Sequence, residues 1–351
     1  MFVRSNYPQY LHPEELDAYL EEGWFRMGQS IFTTHFLRFH QTFYSALWLR
    51  VPLKNFNPDK AQLRLLRQNA GFRYEILPLH LTPQKEELYA RYRDQVAFDA
   101  PSSLEHLLFH EGQHNIYQTM ELNIYDGDIL IACGIFDLGL ASTAGICCFY
   151  DPTYKKYSLG KYLMLLKMLF SKEKGYHYFY PGYFVPGYTL FDYKLTLAKG
   201  ATEYLDITSN SWNIVPDTSF ENPLQLMEHK LHELQRALGA HAITNKLRYY
   251  DFYDANLMPE LHGIGFLDFP IFLSCYGQES DLGPYPMVVY DVRDHQYKLL
   301  QCRSVFKPLV DESTEQRYGT TLLKVEEQLA SGEYTHVMAA LIQMKERSDF
   351  I

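Results

Sequence analysis

The order of hydrophobic and polar positions predicts a chain that mixes helices and strands. Apolar residues at helical spacing behind a capping residue indicate helices, and alternating or continuous apolar runs indicate strands. The predicted helices are 11–22, 59–69, 83–97, 101–109, 159–174, 223–238, 320–329 and 335–344. The predicted strands are 24–36, 45–51, 116–125, 129–138, 144–150, 177–180, 193–197, 287–292 and 297–302.

Between residues 116 and 197 the predicted elements follow an order that resembles the GNAT-type acyltransferase fold. Three strands form an antiparallel meander, in which Asp126 and Gly127 make a two-residue turn. An amphipathic helix that ends at Gly175 follows, and then a further strand. The predicted fold class is therefore α+β, with an N-terminal α+β subdomain at 1–100, a GNAT-like catalytic domain at 101–214 and an acidic C-terminal extension at 215–351.

Composition places the chain among globular proteins. It has 351 residues, of which 47% are hydrophobic and 21% charged, and this excludes a disordered or low-complexity protein. No apolar run is long enough to span a bilayer and no secretory signal is recognisable, so we expect a cytoplasmic protein without a membrane partner. The five cysteines are too few and too scattered for a disulfide framework, which predicts free thiols.

Charge is distributed unevenly along the chain. The net charge is −10, and residues 215–351 hold 20 acidic and 12 basic residues, a net of −8. The earlier part holds two clusters of basic residues: Arg50, Lys54, Lys60, Arg64, Arg67 and Arg73, and then Lys155, Lys156, Lys161, Lys167, Lys172 and Lys174. Such clusters either bind an RNA backbone or are solvated helix faces, and the sequence leaves both open.

Residues 110–114 fit the H-E-x-x-H pattern, in which two histidines one helical turn apart hold zinc. Gly112 disfavours the helix that such a site needs, and a strand pattern begins at Ile116. We therefore predict a loop or helix end with surface histidines at this position, rather than a zinc site.

The start of the helix at 159–174 is a candidate site for a phosphate or carbonyl oxygen. Ser158 and Gly160 are small, and backbone N–H groups at a helix start can point at such an oxygen. The alternative is an ordinary helix capped by the Ser158 side chain, and spacing does not separate the two.

Short motifs along residues 7–206 resemble one family when they are taken in order. They are Tyr7-Pro8, Leu11-His12-Pro13, Gly23-Trp24-Phe25-Arg26-Met27-Gly28, Leu49-Arg50-Val51, residues 60–69, Leu88-Tyr89-Ala90-Arg91-Tyr92, Asp126-Gly127-Asp128, Asp137, Phe149-Tyr150-Asp151-Pro152, Ser158-Leu159-Gly160, Gly182-Tyr183 and Tyr193-Lys194. Their order and spacing resemble those of the arginyl-tRNA–protein transferases and their bacterial leucyl-transferring relatives.

The resemblance implies an aminoacyltransferase of the N-degron pathway. Such an enzyme moves arginine or leucine from a charged tRNA to the N-terminal amine of proteins that begin with Asp or Glu. Charged tRNA is then a co-substrate, and neither a cofactor nor DNA is expected. Because the ester donor is already activated, the enzyme mainly positions it and takes a proton from the amine.

The same resemblance implies roles for particular residues. The predicted catalytic residues are Asp137, Tyr183 and Lys194, with Asp137 either a carboxylate near the amine or a structural one. The predicted donor-binding residues are Ser158, Leu159, Gly160, Lys161, Gly182, Tyr193, Lys155 and Lys156. The predicted acceptor-binding residues are Arg50, Arg64 and Arg67, because a planar guanidinium pairs well with a carboxylate.

One departure from the family and two other functions stay open. Family members usually carry cysteines for a metal or iron–sulfur cluster in the segment that is 33–40 here, and this segment has none, so we predict no cluster.

The first alternative function is a GNAT-type N-acyltransferase with a CoA donor, which the single glycine of residues 157–162 disfavours. The second is a non-catalytic module that binds protein N-termini.

Overall fold

A computed structural model gives the fold, and it describes residues 1–39, 41–96, 100–110, 112, 114–216, 222–275, 284–306, 318–319 and 321–346. The helices are α1 (Pro13–Glu21), α2 (Lys60–Gln68), α3 (Pro83–Arg93), α4 (Leu104–Phe109), α5 (Leu159–Glu173), α6 (Pro223–Ala240) and α7 (Tyr334–Glu346). Short 3₁₀ helices lie at Pro152–Tyr157, Thr189–Thr196, Ala255–Leu257 and Pro259–Leu261. Within the described part of the chain, no helix is both long enough and apolar enough to cross a membrane.

The strands form two large sheets and two small ones. In chain order they are β1 (Val3–Asn6), β2 (Phe25–Met27), β3 (Ser30–Thr34), β4 (Phe36–Phe39), β5 (Thr42–Ser45), β6 (Leu47–Pro52), β7 (Arg73–Pro78), β8 (Thr119–Asp126), β9 (Ile129–Leu138), β10 (Ser142–Tyr150), β11 (Tyr178–Phe184), β12 (Glu203–Asp206), β13 (Ser211–Ile214), β14 (Asn245–Tyr250), β15 (Ile271–Cys275), β16 (Pro284–Asp291), β17 (Gln296–Phe306), β18 (Tyr318–Gly319) and β19 (Leu322–Gly332).

The larger sheet has eight strands in the order β13-β12-β6-β11-β10-β9-β8-β7. Its neighbours are antiparallel except for β10 and β11, which are parallel because α5 crosses over between them. Ala132 and Phe136 of β9 pack with α5, whereas Cys133 and Ile135 pack with Leu88 of α3. Side chains alternate between faces along a strand, so the sheet is covered by helices on both sides.

Local sequence explains where the helices of this sheet begin and end. Asp59 caps α2, accepting a hydrogen bond from the backbone N–H of Gln62 while the Gln62 side chain reciprocates. At α3 and α4 the cap is a single bond, in which the Thr82 and Ser103 hydroxyl oxygens accept from the backbone N–H groups of Lys85 and His106. After α5, Gly175 adopts a φ of +84°, a left-handed conformation that glycine tolerates and that ends the helix.

The second large sheet has six strands in the order β18-β14-β15-β16-β17-β19. Helices α6 and α7 pack against it, and α6 buries Leu224, Met227 and Leu231. Its apolar core also includes Phe2 and Phe36 from the beginning of the chain. The described residues from 222 onward are called the C-terminal region below.

Two predicted elements are wrong. Residues 193–197 were expected to be a strand, but they belong largely to the 3₁₀ helix Thr189–Thr196, since so short an apolar run fits either conformation. Residues 320–329 were expected to be a helix, but β19 pairs with β17 along its length, and this tertiary partner overrides the local preference. Strands β1, β7, β12, β13, β14, β15 and β18 were not predicted, and the single strand expected at 24–36 is divided into β2, β3 and the start of β4.

The predicted domain boundaries at 100 and 214 stay predictions. The eight-stranded sheet takes β6 and β7 from before residue 100, and the core of the six-stranded sheet takes side chains from the first strands of the chain.

Candidate active site between two diverging strands

The parallel strands β10 and β11 separate part-way along their length. Ladder pairing joins residues 142–144 to residues 178–180 and stops there. Beyond this point β10 bulges between Gly145 and Cys147 against β9, and β11 has a register shift between Phe179 and Gly182 against β6. A bulge bends a strand and ends its regular pairing. The two strands therefore leave an opening between Gly145–Tyr150 on one side and Gly182–Phe184 on the other.

Lys194 lies against the β11 side of this opening. Lys194 is only 8% exposed, and its Nζ donates a hydrogen bond to the carbonyl oxygen of Tyr183 at 2.8 Å. A Cβ at Gly182 would come within 3.3 Å of Nζ, and Gly182 has a φ of +84°, so glycine fits this close approach. Removal from water lowers the pKa of Lys194 to about 7, because burial disfavours the charged amine.

Tyr193 and Tyr92 continue the wall of the opening. Burial raises the pKa of each phenol, and the nearby Cys148 thiol of β10 raises both further. The Tyr92 ring lies 5.5 Å from that of Tyr150 at the end of β10. Burial also raises the pKa of Tyr183 to about 12, so this hydroxyl stays protonated at neutral pH. The opening is thus lined by phenols and the Cys148 thiol beside the Lys194 amine.

A buried lysine of α5 holds the bulged strand in place. Lys167 is fully buried, and its Nζ donates hydrogen bonds to the carbonyl oxygens of Ile135 and Cys147, each at 2.8 Å. Nζ also lies 3.3 Å from the Cys148 sulfur. At the bulge, the pairing of β9 with β10 is irregular. Lys167 supplies a hydrogen-bond donor to one backbone carbonyl on each of these strands.

The N-terminal end of α5 lies beside the same opening. An added Cβ at Gly160 would be 3.6 Å from the Tyr150 ring. Ser158 has a φ of 53° and a ψ of 43°, and its side chain makes no capping hydrogen bond, so the alternative of a side-chain-capped helix is wrong. The Leu159 side chain is fully buried, which leaves only its backbone to face a ligand. An uncapped helix start offers backbone N–H groups to an anion or carbonyl.

Five basic side chains share the surface next to this helix start. Gln68 at the end of α2 donates a hydrogen bond to the Lys156 carbonyl at 2.9 Å, and Asn69 donates one to the Tyr157 carbonyl at 3.2 Å. These bonds place α2 against the segment that leads into α5. The exposed bases that they bring together are Arg64, Arg67, Lys155, Lys156 and Lys161, and within the described part of the chain none of them pairs with a carboxylate. We call these five residues the basic surface.

Arg50 is not available to bind an acceptor in the way that we predicted. Its Nε and Nη1 each lie 2.6 Å from a carboxylate oxygen, of Glu203 and Glu21 respectively. Its guanidinium also lies over the rings of Tyr178 and Trp212. The two carboxylates therefore already occupy the Arg50 N–H donors that would recognise an acidic acceptor. Both carboxylates come from elements that are far from Arg50 in sequence.

Asp137 lies within a buried ion pair with Arg26. The Asp137 side chain is 1% exposed, its Oδ1 lies 2.9 Å from Arg26 Nη1, and Thr119 donates to it at 2.5 Å. Burial raises its pKa, and the positive charge of Arg26 opposes that rise. This placement favours the alternative that Asp137 is a structural carboxylate, because no acceptor amine reaches it in this arrangement.

The histidine motif adopts the helix end that we predicted. Helix α4 stops at Phe109, and His110 has a φ of 49°, so His110 and His114 do not share one helix. Glu111 and Gln113 lie outside the described residues, as does His40 of the segment without cysteines. Among the side chains that the structure describes, no group of three His, Cys, Asp or Glu is placed to hold a metal ion.

Sequence reasoning missed three residues of the site, namely Tyr92, Cys148 and Lys167. Tyr92 and the neighbour of Cys148 lie in motifs that carried the family resemblance, but nothing local indicates that α3 and β10 meet. Lys167 was grouped with exposed lysines, although the apolar residues around it in α5 indicated burial.

The site therefore combines an opening in the sheet, a helix start without a side-chain cap and a buried amine. The family model "Arginine-tRNA-protein transferase, C terminus" matches residues 84–202. The aspartate/glutamate leucyltransferase of Shewanella sp. (strain MR-4) is 30% identical over 190 residues, which are 52% of this chain and 76% of that protein. The one from Leptospira interrogans is 28% identical over 201 residues, 54% of this chain and 74% of that protein. This chain therefore belongs to the arginine-tRNA-protein transferase family, and it is an aminoacyltransferase.

Solved structures give only weak similarity. The C-terminal domain of a putative lysylphosphatidylglycerol synthetase from Agrobacterium fabrum is 12% identical, with a TM-score of 0.31 over 44% of this chain and 51% of that one. The ribosomal-protein-S18-alanine N-acetyltransferase from Escherichia coli is 23% identical, with a TM-score of 0.22 over 29% of this chain and 61% of that one. Scores this low support no argument about the fold.

Proposed function

We propose that this chain transfers an aminoacyl group from a charged tRNA to the N-terminal amine of proteins that begin with Asp or Glu. Family membership and the names of its relatives support the reaction class. The observation that carries the proposal is the position of Lys194, at an opening in the sheet next to the start of α5.

The central sheet is a GNAT-type acyltransferase fold in this proposal. An antiparallel meander of β8, β9 and β10 leads through α5 to the parallel strand β11, and the two parallel strands then diverge. The divergence provides a place for an acyl donor beside a helix start, where the backbone N–H groups of Gly160 and its neighbours hold the ester carbonyl or a phosphate oxygen.

Lys194 acts as the general base. The acceptor amine attacks the ester carbonyl carbon, an amide bond forms, and the bond from that carbon to the ribose oxygen breaks. Neutral Lys194 takes the proton that the amine loses, and the released ribose hydroxyl regains a proton from the resulting ammonium. A pKa of about 7 suits this exchange, because the base is partly neutral at the working pH and its conjugate acid can return the proton.

Leucine fits the site better than arginine as the transferred residue. The described groups beside Lys194 are the rings of Tyr183 and Phe191 and the Tyr183 carbonyl, and those beside Tyr193 include Cys148 and Tyr92. A guanidinium there would be close to the Lys194 amine and would lack a counter-ion, which is costly at a buried position. An uncharged leucyl side chain meets neither penalty.

The basic surface binds the tRNA backbone. It lies next to the start of α5, so phosphates held there would bring the esterified 3′ end toward the opening. We therefore assign Arg64 and Arg67 to the tRNA together with Lys155, Lys156 and Lys161, rather than to the acceptor. Such contacts position a nucleic acid without reading its sequence.

A transfer assay tests the proposal. Purified protein is mixed with tRNA charged with radiolabelled leucine or, separately, arginine, and with acceptors that begin with Asp, Glu or Ala. We expect label from leucyl-tRNA on the Asp and Glu acceptors and none on the Ala acceptor. Label from arginyl-tRNA alone would overturn the assignment of the donor. If folded protein transferred neither residue, the reaction itself would be refuted.

A further inference from the structure

An aromatic surface lies next to Tyr183 of the active site. The hairpin of β4 and β5 contributes Phe39 and Tyr44, which are both partly exposed. The Phe39 ring stacks on Tyr188 at 4.7 Å and lies 6.3 Å from Phe191, and Tyr44 meets Tyr188 edge-on at 5.6 Å. These four side chains are called the aromatic surface.

The aromatic surface continues directly to the proposed general base. Phe191 lies 5.3 Å from Tyr183, and the Lys194 amine lies over both rings, 5.0 Å from that of Phe191 and 5.2 Å from that of Tyr183. A molecule that lies along Phe39 and Phe191 is therefore led to Lys194.

The C-terminal region contacts the hairpin of β4 and β5 through an ion pair and hydrogen bonds. Arg38 of β4 forms an ion pair with Asp251, with Nη1 and Oδ1 at 3.0 Å. Tyr253 donates a hydrogen bond to the Phe36 carbonyl at 2.6 Å, and Ser45 of β5 donates one to Asn222 at 2.7 Å.

Ring contacts add to this hold. The buried ring of Phe43 stacks on Tyr249 at 5.8 Å and meets Tyr253 edge-on at 5.2 Å. A two-stranded hairpin is only marginally stable alone. Contacts from the C-terminal region to both of its strands fix its position.

Charge separates the two sides of the active site. The basic surface carries five cations, whereas Asp192 is adjacent in sequence to Phe191, and Asp251 pairs with Arg38 of the hairpin. Phosphates are attracted to the basic surface and repelled by carboxylates. Aromatic rings provide contact area for a polypeptide. The acceptor protein, not the tRNA, suits the aromatic side.

We propose that the C-terminal region serves the transfer reaction by holding the hairpin of β4 and β5, so that Phe39 supports the N-terminal segment of the acceptor protein on its way to Lys194. Phe39 contacts the acceptor, and Asp251 is a positioning residue that acts through Arg38. This inference rests on the proposed function, and it assigns a part in that reaction to the region from residue 222 onward.

Steady-state kinetics of the full chain test the inference with both substrates varied. We expect Phe39→Ala to raise the acceptor KM about tenfold and to leave the KM for charged tRNA unchanged, as for the loss of an aromatic anchor. Phe39→Tyr keeps the ring and should restore the acceptor KM. Asp251→Asn should raise the acceptor KM by a smaller factor. Tyr334→Ala, which removes an exposed ring from α7, is the matched control and should change neither KM.

A binding measurement keeps the inference testable if no transfer is seen. Fluorescence anisotropy of a labelled acceptor peptide beginning with Asp compares wild type with Phe39→Ala, and the affinity for charged tRNA reports whether the variant is folded. Weaker peptide binding with unchanged tRNA binding supports the inference. Unchanged peptide binding, or weaker tRNA binding at equal peptide affinity, overturns it. Absence of transfer by the wild type would count only against the proposed function.

Discussion

Lys194 illustrates how burial changes what a side chain can do. An exposed lysine is protonated at neutral pH, but this amine is almost excluded from water and its pKa falls to about 7. Its hydrogen bond to the Tyr183 carbonyl persists in either protonation state, since a neutral amine still donates. The residue can therefore stay in place while it gains and loses a proton.

The proposed general base predicts a pH dependence of the rate. Because only neutral Lys194 accepts a proton, kcat for the wild type should rise through about pH 7 and level off above it. Lys194→Met should lower kcat by about 10²- to 10⁴-fold and abolish this rise. Initial rates between about pH 6 and pH 9 measure both effects. A Met variant that keeps the wild-type profile would show that another group takes the proton.

The same pKa shift predicts a pH dependence of stability. The pKa of Lys194 is about 7 in the folded state against an ordinary value of 10.5, so between these values the unfolded chain binds more protons. The folded state of the wild type should gain up to about 1.4 kcal/mol per pH unit as pH rises across this window. Lys194→Met has no amine to titrate, so its stability lacks this pH dependence. It should be more stable than the wild type at pH 7, and the difference in free energy of unfolding should be smaller at pH 9. Urea unfolding at both pH values checks the sign, which a constant difference would contradict.

Asp137 is predicted to matter for stability rather than for the chemical step. Asp137→Ala leaves the Arg26 guanidinium buried without its carboxylate, and removal of one partner of a buried ion pair costs about 3–5 kcal/mol. Asp137→Asn keeps a hydrogen-bond acceptor and should cost less while leaving kcat nearly unchanged. Urea unfolding and initial rates measure the two quantities. A large fall in kcat for a stable Asn variant would restore a catalytic role.

Individual residues were predictable where their neighbours are close in sequence. Gly182, Tyr183 and Lys194 were all assigned to one site, and the structure places these three residues in contact, while their roles stay predictions. Arg50 was misassigned because its partners Glu21 and Glu203 are remote in sequence, and no local pattern reveals that a guanidinium is already neutralised.

At the scale of elements, α2 and the segment that enters α5 work as one unit. Hydrogen bonds from Gln68 and Asn69 join them, and their exposed bases then form a continuous positive field. Arg64 and Arg67 were predicted to read an acidic acceptor, and their position beside Lys155 and Lys156 assigns them instead to a polyanion in the proposed function.

The basic surface predicts a salt-dependent effect on tRNA binding. The double variant Arg64→Glu, Arg67→Glu should raise the KM for charged tRNA at least about tenfold and reduce the slope of log affinity against log salt by about 2, one per lost phosphate contact. The acceptor KM should not change. Lys246→Glu, an exposed base of the C-terminal region, is the matched control. An unchanged salt slope would place the tRNA elsewhere.

Elements were predictable where local sequence decides them. The helix predicted at 59–69 and the helix predicted to end at Gly175 are both confirmed to within a residue or so. The strand β19 and the 3₁₀ helix around Lys194 were missed, because pairing with β17 in one case and packing beside β10 and β11 in the other decide their conformation.

The whole molecule brings the first strands of the chain into the core of its C-terminal region. Most of the net negative charge of the sequence follows residue 214, and the basic surface lies beside the eight-stranded sheet. The sequence indicated this uneven charge, but not that the core of the C-terminal region would include Phe2, Phe36 and Phe43. In the proposed function, the basic surface attracts the polyanionic substrate to one side of the active site.

A single-turnover measurement tests whether transfer occurs at the opening between β10 and β11. Leucyl-tRNA and an acceptor beginning with Asp are mixed with an excess of wild type or of Lys194→Met, and the mass of the acceptor is followed over time in a single turnover. We expect the wild type to add one leucyl residue at the acceptor's N-terminus, and the folded variant, with unchanged affinity for tRNA, to do so far more slowly. Transfer by the variant at the wild-type rate would show that Lys194 at this opening does not serve the reaction.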